Sequence, residues 1–165
     1  MLSDMLFKKS NSEKQIKYLE LYVSVKHAQT IFAPVSKNEA GIYYEQENCF
    51  SHEFPMSDLL LGECCLKYWN LFEVKEKNLR ELKSTDWPAF KHGKSKAVRS
   101  FEFDYIKISV KGANESNLVL LIEGIPYSGS ELSVTSSVSA CTEPINIGDR
   151  INKVIEACIT GKLYK

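Results

Sequence analysis

Residues 18–25 read Tyr-Leu-Glu-Leu-Tyr-Val-Ser-Val, and this stretch decides the fold class. Tyr18, Glu20, Tyr22 and Ser24 share one parity; Leu19, Leu21, Val23 and Val25 share the other. A period of two is that of a β-strand with one apolar face against a core. The signal recurs outward from this stretch. Thr30 to Val35 is a second β-rich stretch, closed by Pro34 and the turn-forming residues Ser36 to Asn38. Gly41 to Glu45 reads as a third, short strand. Further on, Phe101, Phe103 and Tyr105 share one parity and Ile106, Ile108 and Val110 the other. The change of parity near Asp104–Ile106 predicts a bulge, or a helical turn that feeds a strand. Residues 112–117 form a hairpin-like connection. Leu118 to Ile122 is continuously apolar, the pattern of a central strand buried on both faces. From Leu132 to Ala140 apolar residues alternate with Ser and Thr, which predicts a one-sided strand.

Two helices punctuate these strands. Ser57 is the expected N-cap of the first, and Asp58 suits the positive end of its dipole. Leu61, Cys65, Tyr68 and Phe72 lie on one helical stripe, so this helix is expected to run to about Phe72. Val74 to Lys83 reads as a weak second helix or a fraying continuation, and Asp86 to Pro88 as a turn. The last helix is expected to be capped by Asn146, with Asp149 three positions later. Ile147, Ile151, Val154, Ile155 and Cys158 form its apolar face, and Gly161 ends it as a left-handed C-cap. The order is βββα, a charged connector, then βββα, and it suggests a ββ(β)α pseudo-repeat. The predicted fold class is α+β: a single domain over residues 15–165, with helices packed on an antiparallel or mixed β-sheet, preceded by a frayed segment 1–14.

The bulk composition bounds the function. The chain has 165 residues, 44% hydrophobic and 25% charged, ordinary values for a globular domain. Twenty-one basic and twenty-one acidic residues cancel, which excludes a simple polycationic nucleic-acid binder. The bases are 18 Lys and only 3 Arg, so the bidentate guanidinium contacts of specific base readout are scarce. Five Cys, two of them adjacent and none in a CxxC pair, do not read as a disulfide framework. The N-terminus lacks a signal-peptide pattern, and the longest apolar run is far short of the ~20 residues of a membrane helix. A soluble protein of the cytoplasm is expected, without a membrane or nucleic acid as direct partner; the oligomeric state is left open.

Catalytic motifs are absent: there is no GxSxG, HExxH, GxGxxG or GxxxxGK[ST]. Cys49 and His52, followed by Cys64 and Cys65, can be drawn as a zinc site, but adjacent cysteines on a helix diverge by about 100°. Glu102 and Asp104 can be drawn as a carboxylate pair. The expectation is no metal, no cofactor and no catalytic residue. The alternatives kept open are a small enzyme built on His52, Cys49 or the Glu102/Asp104 pair, acting on nucleotides or nucleic acid, and a protein-binding adaptor domain.

The neutral total hides a segregated chain. Residues 38–66 hold six acids and no Lys or Arg, a local charge of −6; residues 67–111 hold eleven bases and six acids, a local charge of +5. Acids interleaved with aromatics suit a basic protein partner, because charge speeds encounter and aromatic anchors hold the complex. The candidate partner-binding residues are Tyr43, Tyr44, Glu45, Glu47, Phe50, Glu53, Asp58 and Glu63.

A family resemblance begins at Trp87 to Phe90. Lys94, Ser95 and Lys96 lead to Phe101-Glu102, then to Tyr105 through Val110, Asn117 through Glu123, Glu131 through Val134, and Ile147-Gly148 at the start of the final helix. This succession, over roughly residues 84–160, resembles immunity proteins of bacterial contact-dependent growth inhibition (CDI) systems. The resemblance implies a non-catalytic cytosolic protein that binds and blocks the C-terminal toxin domain of a cognate effector, often a nuclease. It carries over no binding residue by motif.

Overall fold

The computed structural model describes residues 15–126 and 132–161; the expected frayed segment 1–14 lies outside them. The strands are β1 (Tyr18–Ser24), β2 (Gln29–Lys37), β3 (Tyr43–Glu45), β4 (Phe50–Glu53), β5 (Glu73–Val74), β6 (Ile106–Gly112), β7 (Val119–Ile125) and β8 (Val134–Ser139). The helices are α1 (Asp58–Trp69), α2 (Pro88–His92), α3 (Val98–Asp104) and α4 (Pro144–Thr160), with one 3-10 turn at Ser84–Asp86. Together they form an α+β domain on one eight-stranded sheet ordered β3-β2-β1-β6-β7-β8, with β4 and β5 also paired to β2. Every pairing is antiparallel except the short one between β2 and β5.

The parity in residues 18–25 becomes two differently used faces. Leu19, Leu21 and Val23 join Phe32, Ile108, Val110, Leu120 and Ile122 on one face, under α1 and α4. On the other face Tyr22, Ile31 and Ala33 pack against Ala89, Phe101 and Tyr105 of the 84–105 segment. Residues Leu19, Leu21 and Val23 are fully buried, which withdraws roughly 1.5–3 kcal/mol of apolar side chain each from water.

The halves share strands followed by a helix, and the two long helices meet through glycine. A Cβ on Gly62 of α1 would lie 1.7 Å from the carbonyl oxygen of Pro144, and one on Gly148 of α4 would lie 1.7 Å from that of Asp58. Each helix therefore rests the first turn of its partner on its own glycine. Asp58-Leu-Leu-Leu-Gly62 and Pro144-Ile-Asn-Ile-Gly148 occupy matching places, with Leu61 and Ile147 buried just ahead of each glycine.

The structure departs from the sequence reading in several elements: β1 is buried on both faces, α1 ends at Trp69 rather than about Phe72, and α2 was not expected. Of the two readings of the parity change, the helical turn that feeds a strand is the one found: it marks the end of α3 ahead of β6, and Phe101 and Tyr105, four apart, stack at 4.3 Å. Residues 75–83 form no helix, since β5 is followed by extended chain. The stretch 50–53 adds the unpredicted strand β4. Strand β7 is covered on one face only: Leu120 and Ile122 are buried, but Val119 is exposed and Leu121 half-buried, because β7 lies next to the edge strand and only α4's side of it carries a helix. Helix α4 begins at Pro144 after Glu143, three residues ahead of the expected start, because proline suits the first helical position. The expected Ser57 cap accepts a hydrogen bond from the Leu60 amide, and Gly161 ends α4 with φ 66°.

Candidate functional site

The sheet face turned away from α1 and α4 is roofed only in part. Where the 84–105 segment stops short, a cleft of about 510 Å³ opens. Its floor is Tyr18, Glu20 and Tyr22 of β1 and Lys107 of β6; its walls include Tyr43, Tyr44 and Glu45 on one side and Val98 and Glu102 of α3 on the other. Leu79, Leu82 and Trp87 from the connector complete the rim. The volume falls in the range of ligand and side-chain sites.

Strand register explains the floor. Glu20 stands directly opposite Ser109, and Tyr22 opposite Lys107. The Ser109 hydroxyl donates to Glu20 Oε2 at 2.7 Å, Lys107 Nζ lies 3.0 Å from Oε1, and the Tyr18 hydroxyl donates to Ser109 at 3.1 Å. Glu20 is buried, and burial raises its carboxyl pKa above the usual value against the opposing pull of Lys107 and Ser109. Burial and the neighbouring Glu20 charge likewise push the Tyr18 phenol up.

Glu45, at the end of β3, builds the wall. Its carboxylate accepts from the Tyr22 hydroxyl, from Trp87 Nε1 at 3.0 Å and from the Ala89 amide at 3.0 Å. Three donors from two segments converge on one side chain, so Glu45 ties the start of α2 to the sheet. Trp87 then packs edge-on against Tyr22 and Phe101, with ring centroids 5.6 and 4.9 Å apart.

The eight residues singled out in the sequence do not form one patch. Tyr43, Tyr44 and Glu45 line the cleft. Glu47 lies beyond it, held 2.7 Å from Lys77 and 3.8 Å from Lys91, and the Lys77 hydrogen bond draws its pKa down. Phe50 faces the other side of the sheet and stacks on Tyr68 at 4.2 Å. Glu53 and Glu63 are exposed on β4 and α1, and Asp58 accepts from Asn152 Nδ2 at 2.6 Å. The acidic stretch is in part neutralised by the basic connector folded over it: the Tyr44 hydroxyl bonds the Lys75 carbonyl, and Lys77 Nζ sits 5.5 Å above the Tyr44 ring. Glu20, Tyr18, Trp87, Lys107 and Ser109 were not singled out. A charge in place of an apolar residue between Tyr18 and Tyr22 was the one available signal.

The drawn catalytic and metal sets are not assembled. Cys49 is buried, and burial raises its thiol pKa to about 12. His52 turns instead to the Tyr68 hydroxyl at 3.0 Å and to Cys64 at 3.9 Å, while burial raises Cys65 to about 12. Among the described residues no group of three His, Cys, Asp or Glu is placed to hold a metal ion. Glu102 faces the cleft, whereas Asp104 is held by Lys26 at 2.9 Å, by the Ser95 hydroxyl at 2.7 Å and by His27 Nε2 at 3.2 Å. Ser95 and Asp104 both approach the same ring nitrogen of His27, so the three lack the relay arrangement in which base and orienting acid use opposite nitrogens. No helix among the described residues is long and apolar enough to cross a membrane.

No protein-family model matches the sequence, and no curated protein sequence matches it significantly. Solved structures do match the fold. A protein of unknown function from Neisseria meningitidis superposes with a TM-score of 0.66 at 14% identity, over 88% of this chain and 96% of that one. A chain of the CdiA-CT/CdiI toxin and immunity complex from Yersinia pseudotuberculosis superposes with a TM-score of 0.63 at 13% identity, over 87% of this chain and 98% of that one. The resemblance to CDI immunity proteins read from residues 84–160 thus has a counterpart in a fold likeness that spans most of the chain.

Proposed function

We propose that this chain is an immunity protein that binds and neutralises the C-terminal toxin domain of a CDI effector in the cytoplasm, without catalysing a reaction itself. The fold likeness to a chain of a CDI toxin and immunity complex carries the reading. Fold alone does not imply function, so the site has to agree. It does so in kind: an aromatic cleft with a buried carboxylate at its floor suits a protein's side chains. The proposed contact centres on the cleft bordered by Tyr43 and Tyr44, with the exposed Glu47, Glu53 and Glu63 outside it adding acidic charge. Phe50, on the other face of the sheet against Tyr68, and Asp58, bonded to Asn152, lie away from the cleft, and Glu45 holds its wall. The acidic character of the stretch fits a basic toxin such as a nuclease.

Co-expression tests the reading. Cells producing the toxin domain encoded beside this chain's gene are expected to grow when this protein is also made, and to die when it is not. Continued killing in the presence of abundant, soluble protein contradicts it.

A further inference from the structure

Glu20 is out of place by the rule that governs the rest of the central strands. It lies on β1 between Tyr18 and Tyr22, is 5% exposed, and burying its charge costs free energy that an apolar residue there would not incur. It also lines the cleft. Its two oxygens are met by separate donors, Lys107 on Oε1 and the Ser109 hydroxyl on Oε2. The Lys107 side chain is 41% exposed, so its ammonium can return to water without crossing the protein. Tyr43 and Tyr44 line one wall, and Tyr43 packs on Tyr18 of the floor with ring centroids 5.5 Å apart. Ammonium groups of this chain already rest on the wall rings: Lys37 lies 5.3 Å from the Tyr43 centroid and Lys77 lies 5.5 Å from that of Tyr44.

We propose that Glu20 anchors an arginine side chain of the protein partner, inserted into the cleft beside its tyrosine wall. The proposal rests on the immunity reading above. A guanidinium presents two parallel N–H donors and so addresses both Glu20 oxygens at once, replacing Lys107 on Oε1 while the Ser109 hydroxyl keeps its bond to a second lone pair of Oε2. Its planar face lies against tyrosine, where a lysine ammonium gains less contact. Lys107 regains its hydration, the Ser109 hydroxyl keeps its bond from Tyr18, and the buried carboxylate is never left without a cation.

Two measurements test this. In the first, the full chain is titrated by NMR with N-acetyl-arginine amide and, separately, with the uncharged N-acetyl-citrulline amide. Saturable shifts at Tyr18, Glu20, Tyr43 and Lys107 with the arginine derivative alone are expected, and Glu20→Gln is expected to abolish them. Equal shifts with both derivatives, or none with either, overturn the anchor, and this arm needs no variant to fold. In the second, affinity for the toxin domain is compared among wild type, Glu20→Gln and Glu115→Gln. Glu115 is exposed in the β6–β7 connection, away from the cleft, and its change removes the same charge. Glu20→Gln is expected to weaken binding by roughly thirtyfold or more and Glu115→Gln to leave it within about twofold. A wild type that binds no toxin defeats the immunity reading; a wild type and Glu20→Gln that bind equally defeat only the anchor.

Discussion

Glu45 and Glu20 line the same cleft and contribute in opposite ways. Glu45 accepts three hydrogen bonds that close the fold. Glu45→Gln keeps one acceptor oxygen and turns an amide toward donors, so it is expected to cost about 2–3 kcal/mol, read as a lower urea midpoint. An unchanged midpoint contradicts its role as the tie between β3 and α2. Glu20 has a raised carboxyl pKa, chiefly from burial. A raised pKa means that the native state holds the proton more tightly than the unfolded chain does. Stability from this group is therefore present below the unfolded value of 4.5 and is lost as pH rises through the native value. Glu20→Gln is expected to be at least as stable as wild type at pH 7, with the difference closing below about pH 4.5. A Glu20→Gln protein that melts lower at pH 7 contradicts this. Asp104 has the reverse sign: Lys26, Ser95 and His27 hold it at about 2, against an ordinary 3.8. Its contribution is present above pH 3.8 and disappears as pH falls toward 2, so the acid limb of an Asp104→Asn melt is expected to be flatter in that interval.

At the scale of elements, the helix pair α1–α4 depends on backbone contact. The atoms that a new Cβ would meet at Gly62 and Gly148 are backbone, which cannot swing aside. Gly148→Ala is expected to cost about 3 kcal/mol or more, seen as a lower melting temperature, while alanine at the exposed Arg150 of the same helix is expected to stay within about 0.5 kcal/mol. Equal melts for the two variants contradict the close approach. The same scale shows what was legible in the sequence and why. Alternation in residues 18–25 and the apolar stripe of α4 were legible because one face of each meets a core that spans the molecule. The helix α3 was legible only as one of two readings, because Phe101, Phe103 and Tyr105 satisfy a period of two as well as Phe101 and Tyr105 satisfy a spacing of four. Strand β4 was hidden because its pairing to β2, His52 beside Thr30, is a tertiary contact with no local signature. The glycine pair shows only once two helices are seen to cross.

At the scale of the whole molecule, the charge segregation of the chain is partly undone by folding. Lys77 of the connector and Lys91 of α2 lie on Glu47, while Glu39, Glu53 and Glu63 of the acidic stretch stand exposed. A cleft built from β1, β3, β6 and α3 takes the place of the continuous acidic patch that the sequence suggested. Its floor residues come from strands nearly ninety positions apart, which is why spacing along the chain does not show it. The measurement that tests the central claim most directly is calorimetric titration of the purified toxin domain into this protein, with the toxin's activity followed in the same mixture. The account predicts one-to-one binding with a Kd at or below about 10⁻⁷ M and loss of toxin activity at equivalence. No heat of binding, or binding that leaves the toxin fully active, would contradict it.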